Sequence, residues 1–144
     1  MNTTVHVPTA LDWRAIVSGA GATLAIGIAL GALLGMWMQD HPLGYGTVQA
    51  LSIVVGLLAD VVGGALAGVL AKRRGALHGA MAMVLASAFG LVASLVLMSR
   101  AGQLDVFLSL SYWMWWLLTA LLGLGVGALA GLVAARIAAA KSAP

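Results

Sequence analysis

The run GLLADVVGGALAG, Gly56 to Gly68, is apolar at every position except Asp60. It lies within a hydrophobic segment from about 48 to 71. At about 1.5 Å of rise per residue, a helix of that length crosses the roughly 30 Å hydrocarbon core of a bilayer. Gly56, Asp60, Gly64 and Gly68 recur every four residues, a spacing that drifts slowly around a helix and keeps them on one face. The run is therefore expected to be a membrane span with a small-residue groove and one carboxyl group near mid-bilayer.

The rest of the chain has the same character. Of 144 residues, 62% are hydrophobic and 8% charged, with a mean hydropathy of +1.08. Soluble domains are roughly 25% charged and about half apolar. A core of this size cannot hide such an excess, so the bilayer is the expected solvent. Net charge is +3, from seven Lys and Arg against four Asp, with no Glu. That small basic excess sits at helix ends and is no nucleic-acid footprint. The absence of cysteine excludes a disulfide, a thiolate metal site and a Cys nucleophile. The opening MNTTVHVPTALDWRAIV lacks a basic n-region and a small-residue cleavage site, so the first span is expected to be retained.

Four spans separate, at about 13–38, 48–71, 77–98 and 113–137, in a single transmembrane domain over 1–144. Breaks fall at QDHPLGYG, KRRGALH and SRAGQLD, which hold charges, Pro42 and turn glycines. The piece VFLSLSY, Val106 to Tyr112, reads as an interfacial lead-in or a tilted extension of the last span. The expected fold is an all-α integral membrane four-helix bundle.

Arg14, Lys72, Arg73, Arg74, Arg136 and Lys141 flank one side of such a bundle, and Arg100 alone flanks the other. By the positive-inside rule both termini and the central loop are expected to be cytoplasmic, in a cytoplasmic (inner) membrane. Trp37, Tyr45, Tyr112, Trp113, Trp115 and Trp116 gather at the opposite ends of the spans, as interfacial anchors do. A platform for a pigment, quinone or sugar is the alternative for YWMWW. Trp13–Arg14 reads as an anchor at the entrance of the first span. Lys72, Arg73 and Arg74 set topology and meet anionic lipid head groups, or form a docking surface.

GALAGVLAKR from Gly64 aligns with GALAGLVAAR from Gly127, an offset of 63 residues. GAGATLAIG from Gly19 matches GAMAMVLAS from Gly79 more loosely, at an offset of 60. The near-equal offsets predict two helical hairpins related by duplication, in parallel orientation. Every span carries a small-residue stripe. The first has Ala15, Gly19, Thr23, Gly27, Gly31 and Gly35; the third has Ala82, Ala86, Gly90 and Ser94; the fourth has Thr119, Gly123, Gly127, Gly131 and Ala135. Because lipid tails are as apolar as leucine, such stripes drive association by letting backbones approach. A close-packed bundle follows, with some stripes available to a homo-oligomer.

Asp60 breaks the repeat, since Gly123 holds the equivalent place. An ionised carboxylate at mid-bilayer costs at least about 2.5–3.5 kcal/mol. No Lys, Arg or His lies at matching depth, so a neutral, protonated acid is the expected form. Thr23 and Ser87 fall at similar depth and are its expected hydrogen-bond partners. Three roles stay open: polar glue between helices, proton or cation handling, and pairing with a basic group on another subunit or ligand. His6, His41 and His78 read as solvated loop or helix-end residues whose spacing provides no metal or chlorin site. No P-loop, HExxH, GxSxG or carboxylate cluster is present, so no enzyme, cofactor or metal is expected.

The segment DWRAIVSGAGATLAIGIALGALLG resembles the first span of small, uncharacterised bacterial four-helix Gly/Ala-rich membrane proteins. The resemblance extends to size, span number and glycine pattern and implies no known activity. Small multidrug transporters also have four spans but rely on an embedded Glu, which this chain lacks. The leading expectation is a non-enzymatic packing module, a homo-oligomer or an accessory subunit of a membrane complex, with lipids as partners and no nucleic acid. The alternative is a small proton- or cation-coupled transporter or channel using Asp60.

Overall fold

The computed structural model describes residues 11–41 and 43–141; His6 and Pro42 lie outside the described residues. Among these there are five helices and no strand: α1 (Trp13–Asp40), α2 (Tyr45–Ala71), α3 (Gly75–Arg100), α4 (Leu104–Phe107) and α5 (Leu110–Lys141). Four of them, of 28, 27, 26 and 32 residues, are long and apolar enough to cross a membrane. The chain is thus all-helical with the four long spans of a multi-pass membrane protein. Each span extends a few residues past its sequence-derived limits.

Local chemistry sets the ends. Asp12 caps α1, its carboxylate accepting from the backbone N–H of Arg14 at 3.0 Å and Ala15 at 3.3 Å. α3 closes with Gln103 N–H donating to Met98 O at 2.8 Å and Gly102 N–H to Ser99 O at 3.3 Å. That paired closure needs a left-handed residue, and Gly102 supplies it with φ +69°. Ser109 caps α5 by accepting from Tyr112 N–H at 3.3 Å. The lead-in VFLSLSY is therefore broken: α4 is a separate turn, and α5 starts afresh after Ser109. Between α2 and α3 the chain reverses in three residues, with Lys72 at φ 55° and Arg74 at φ 54°.

The side-chain distribution is that of a protein solvated by lipid. Leu, Val and Ile point outward along all four long helices, whereas the buried core is mostly alanine. Ile16 and Met83 are the largest fully buried side chains. In cross-section the long helices form a diamond. α2 and α3 touch across its short diagonal, α1 and α5 each pack against both, and α1 and α5 do not meet.

Glycine makes the tight contacts, and they lie in the half of the bundle nearest Lys72–Arg74. Gly131 of α5 is wedged between Gly68 of α2 and Gly75 of α3; one layer further in, Gly127 sits between Gly64 and Gly79. A methyl on Gly64 would lie 2.5 Å from Gly127 O. α1 joins through Gly19, where a methyl would lie 2.6 Å from Gly63 O and 2.7 Å from Ala67 Cβ. The Gly63–Gly64 doublet thus serves two neighbours, one glycine facing α1 and the next facing α5. Overfilling such contacts costs about 1–3 kcal/mol or more.

Beyond Asp60 the helices splay. The space next to Gly31, Gly35 and Gly56 is open, with no atom of a neighbouring helix within 4 Å of where a methyl would sit, and Gly27 has only ordinary contact, Ala59 Cβ at 3.8 Å. The intrachain packing expected of Gly31, Gly35 and Gly56 is therefore corrected. The stripes run the full length of each helix, but helices that diverge from one end use only half of each stripe.

Candidate functional site

Asp60 sits where the closed half ends. Its Oδ2 lies 2.5 Å from the position a Cβ on Gly123 would take. The glycine at the repeat-equivalent position is thus what makes room for the carboxylate. Among the described residues, Asp60 forms no hydrogen bond and no ion pair, and it is only partly buried. Its oxygens border open volume instead.

The larger volume is a cleft of about 660 Å³ between α2 and α5. Tyr45, Gln49, Ser52, Gly56 and Asp60 line its α2 wall at helical spacing. Ser109, Ser111, Tyr112, Trp115 and Thr119 line the wall formed by α5 and the link before it. The aromatic residues stand toward the Tyr45 end and Asp60 toward the glycine layers. Among the described residues, no Lys, Arg or His lines it.

Two smaller grooves adjoin it. One, about 280 Å³, brings together Thr23, Gly27, Gly56, Asp60 and Ser87. The other, about 360 Å³, runs between α1 and α2 along Gly27, Gly31, Gly35, Met38, Ser52 and Gly56. Gly56 borders all three volumes and Asp60 two of them. The role of Gly56 is hence to leave space.

Thr23 and Ser87 do share a groove with Asp60, but neither bonds to it. Thr23, buried in α1, donates its hydroxyl proton to Ala59 O of α2 at 3.4 Å, with Met83 Sδ at 3.8 Å. The three residues border one groove, and the hydrogen bond expected from Thr23 to Asp60 is replaced by one to backbone. A threonine proton in a lipid-solvated bundle goes to the nearest carbonyl, and Ala59 precedes Asp60.

His78 departs further from expectation. It is buried, 4% exposed, and not a solvated helix-end residue. Its Nε2 accepts the backbone N–H of Asp12 at 2.9 Å. Nδ1 must then carry the ring proton and donate to Arg74 O at 3.1 Å. This ring fastens the start of α1 to the start of α3, beside the Lys72–Arg74 turn. His41 is exposed as expected and stacks on Trp37 with ring centroids 4.8 Å apart.

The aromatic group at the far end forms a connected cluster. Phe107 of α4 packs on Tyr112 at 5.1 Å and edge-on to Trp113 at 5.5 Å, and Trp113 meets Trp116 at 5.8 Å. Trp115 points apart from this cluster and lines the cleft. Trp13 and Trp37 are exposed at opposite ends of α1. Lys72, Arg73 and Arg74 are exposed at the tight turn. No group of three or more metal-ligating side chains occurs among the described residues.

These features define an all-helical bundle of four long apolar helices, closed at one end, with a carboxylate at the floor of a mostly apolar cleft between α2 and α5. No protein-family model, curated protein or solved structure matches the chain.

Proposed function

We propose that this is a small inner-membrane protein that takes up a proton or cation at Asp60 through the cleft between α2 and α5. The observation that carries this reading is the position of Asp60: an intramembrane carboxylate without a protein partner, at the floor of a cleft sealed below by two glycine layers. Carboxylates placed so commonly belong to ion or substrate paths. With both termini and the Lys72–Arg74 turn on the cytoplasmic side, as the distribution of basic residues favours, the cleft opens outward. The protein carries out no covalent chemistry in this reading.

The duplication also finds support. Gly64 packs on Gly127 and Gly68 on Gly131, and Asp60 lies against Gly123; each pair is 63 residues apart. Equivalent positions of α2 and α5 thus face each other, while the hairpins as wholes depart from twofold symmetry, since α2 meets α3 and α1 does not meet α5.

A second reading, a homo-oligomer or accessory subunit, is favoured by the unfilled groove along Gly27, Gly31 and Gly35. The two readings separate in reconstituted vesicles. Asp60→Asn keeps hydrogen bonding but exchanges no proton; Asp60→Leu removes both. The ion-handling reading expects Asp60→Asn to abolish proton or cation flux while the protein stays assembled. Flux that survives Asp60→Asn, with assembly lost only in Asp60→Leu, would leave Asp60 a packing residue.

A further inference from the structure

We infer that the cleft between α2 and α5 is a binding site for a lipophilic ammonium ion bearing at least one N–H, its charged nitrogen at Asp60 and its apolar body against Tyr112 and Trp115. This rests on the reading of Asp60 as a cation site and names the class of cation.

The hydroxyl protons of the wall are already committed. Ser52 donates to Val48 O at 2.9 Å. Thr119 donates to the carbonyls of Trp115 and Trp116 at 3.1 and 3.0 Å. Ser109 donates to Val106 O at 2.6 Å, so in the 3.2 Å contact between Ser109 and Ser111 it is Ser111 that donates. Ser52, Ser111 and Thr119 are left with lone pairs to offer and no proton, whereas Ser109 already accepts from Tyr112 N–H and Ser111. Together with the Asp60 carboxylate they make an acceptor wall, and no basic side chain among the described residues interrupts it. The remaining donors, Gln49 and the two tyrosines, stand toward the mouth.

Such a wall selects by chemistry. At the floor of the cleft an anion meets acceptors and a carboxylate, the donors of Gln49 and the tyrosines lying toward the mouth. A neutral hydrocarbon leaves the carboxylate without a partner. A quaternary ammonium neutralises the charge but donates nothing. A bare metal ion finds one carboxylate and no further charged ligand among the described residues. A protonated amine satisfies both demands, through a charge-assisted hydrogen bond to Asp60 and apolar contact along the wall. The site is long: fifteen residues of α2 from Tyr45 to Asp60 span about 22 Å. Its volume of about 660 Å³ lies within the range of small-molecule sites. An arylalkylamine, with its ring near Tyr112 and Trp115, suits that shape.

The test is calorimetric titration of the full chain in lipid nanodiscs, with empty nanodiscs subtracted. The probes are phenylbutylammonium, its trimethylammonium analogue and phenylbutanol. The expected result is saturable binding of one phenylbutylammonium per chain, about tenfold or more tighter than either analogue, as the lost hydrogen bonds require. Asp60→Asn should weaken that binding by about tenfold. Thr119→Val should weaken it severalfold with an unchanged melting temperature. Equal affinities for the three probes on wild-type protein, or no saturable binding, would overturn the inference without reference to any variant. If the amine fails to bind while proton flux still depends on Asp60, the choice of cation falls and the cation site stands. If flux also ignores Asp60→Asn, both fall.

Discussion

At Asp60, geometry and sequence explain each other. Gly123 is small because the neighbouring carboxylate occupies the place of its Cβ, with Oδ2 2.5 Å from that point. Gly123→Ala should push the flexible carboxylate end of Asp60 aside, at a cost of about 0.5–1.5 kcal/mol in stability. The cost should largely vanish in an Asp60→Ala background, giving a coupling of that size in a double-mutant cycle of thermal or denaturant unfolding. Additive effects would place the two residues apart. The exceptional status of Asp60 is legible from hydropathy alone, because a single carboxyl group in a long apolar run has few interpretations. Its surroundings are less so. Thr23 and Ser87 can be matched in depth by counting along spans, yet the proton of Thr23 goes to Ala59 O, a choice set by the rotation of α1 against α2. His78 was hidden for a stronger reason. Its partner, the N–H of Asp12, is 66 residues away, and nothing in KRRGALH marks which helix start will approach it.

Among the helices, the four-residue glycine spacing announces close packing and does not say where packing stops. Gly64 and Gly31 occupy the same kind of stripe, yet a methyl on Gly64 meets the backbone of Gly127 and one on Gly31 meets nothing. Divergence is a relation between helices, so no single periodicity contains it. Gly63, Gly75 and Gly79 likewise belong to the packed half. Their signal is the Gly63–Gly64 doublet, which a central helix needs when two neighbours approach it about 100° apart. The consequence is an asymmetric mutational response in melting temperature. Gly64→Ala and Gly68→Ala should each cost about 1–3 kcal/mol or more. Gly31→Leu and Gly35→Leu should leave the protomer's stability unchanged. If the homo-oligomer reading holds, those leucines should instead change the mass of the assembly measured by light scattering. Equal losses at Gly64 and Gly31 would contradict a bundle closed at one end only.

Across the whole molecule, the same small residues do two jobs. Below Asp60 they let α2, α3 and α5 meet backbone to backbone; above it their missing side chains keep three volumes open around Gly56. Four spans and the positions of their breaks follow from composition, and the helices confirm that number. A diamond with α1 and α5 held apart, and a cleft on one side of α2, does not follow from composition, since apolar helices of this kind pack equally well in several orders. If Asp60 takes up a proton or cation through the cleft, as proposed, the cleft admits water from the Tyr45 end down to Asp60 and no further. The cysteine-free chain is a clean background for testing it. Thiols react as thiolates, so a cysteine in lipid stays inert while one in a wet cleft is modified. Single cysteines would be placed at Thr119 in the cleft, at Leu58 on the exposed apolar face and at the fully buried Ala67. A membrane-impermeant thiol reagent should label Thr119→Cys from the Tyr45 side alone, and should leave Leu58→Cys and Ala67→Cys unmodified from either side. Equal labelling of Thr119→Cys and Leu58→Cys, or labelling of Thr119→Cys from the Lys72–Arg74 side, would contradict the one-sided cleft.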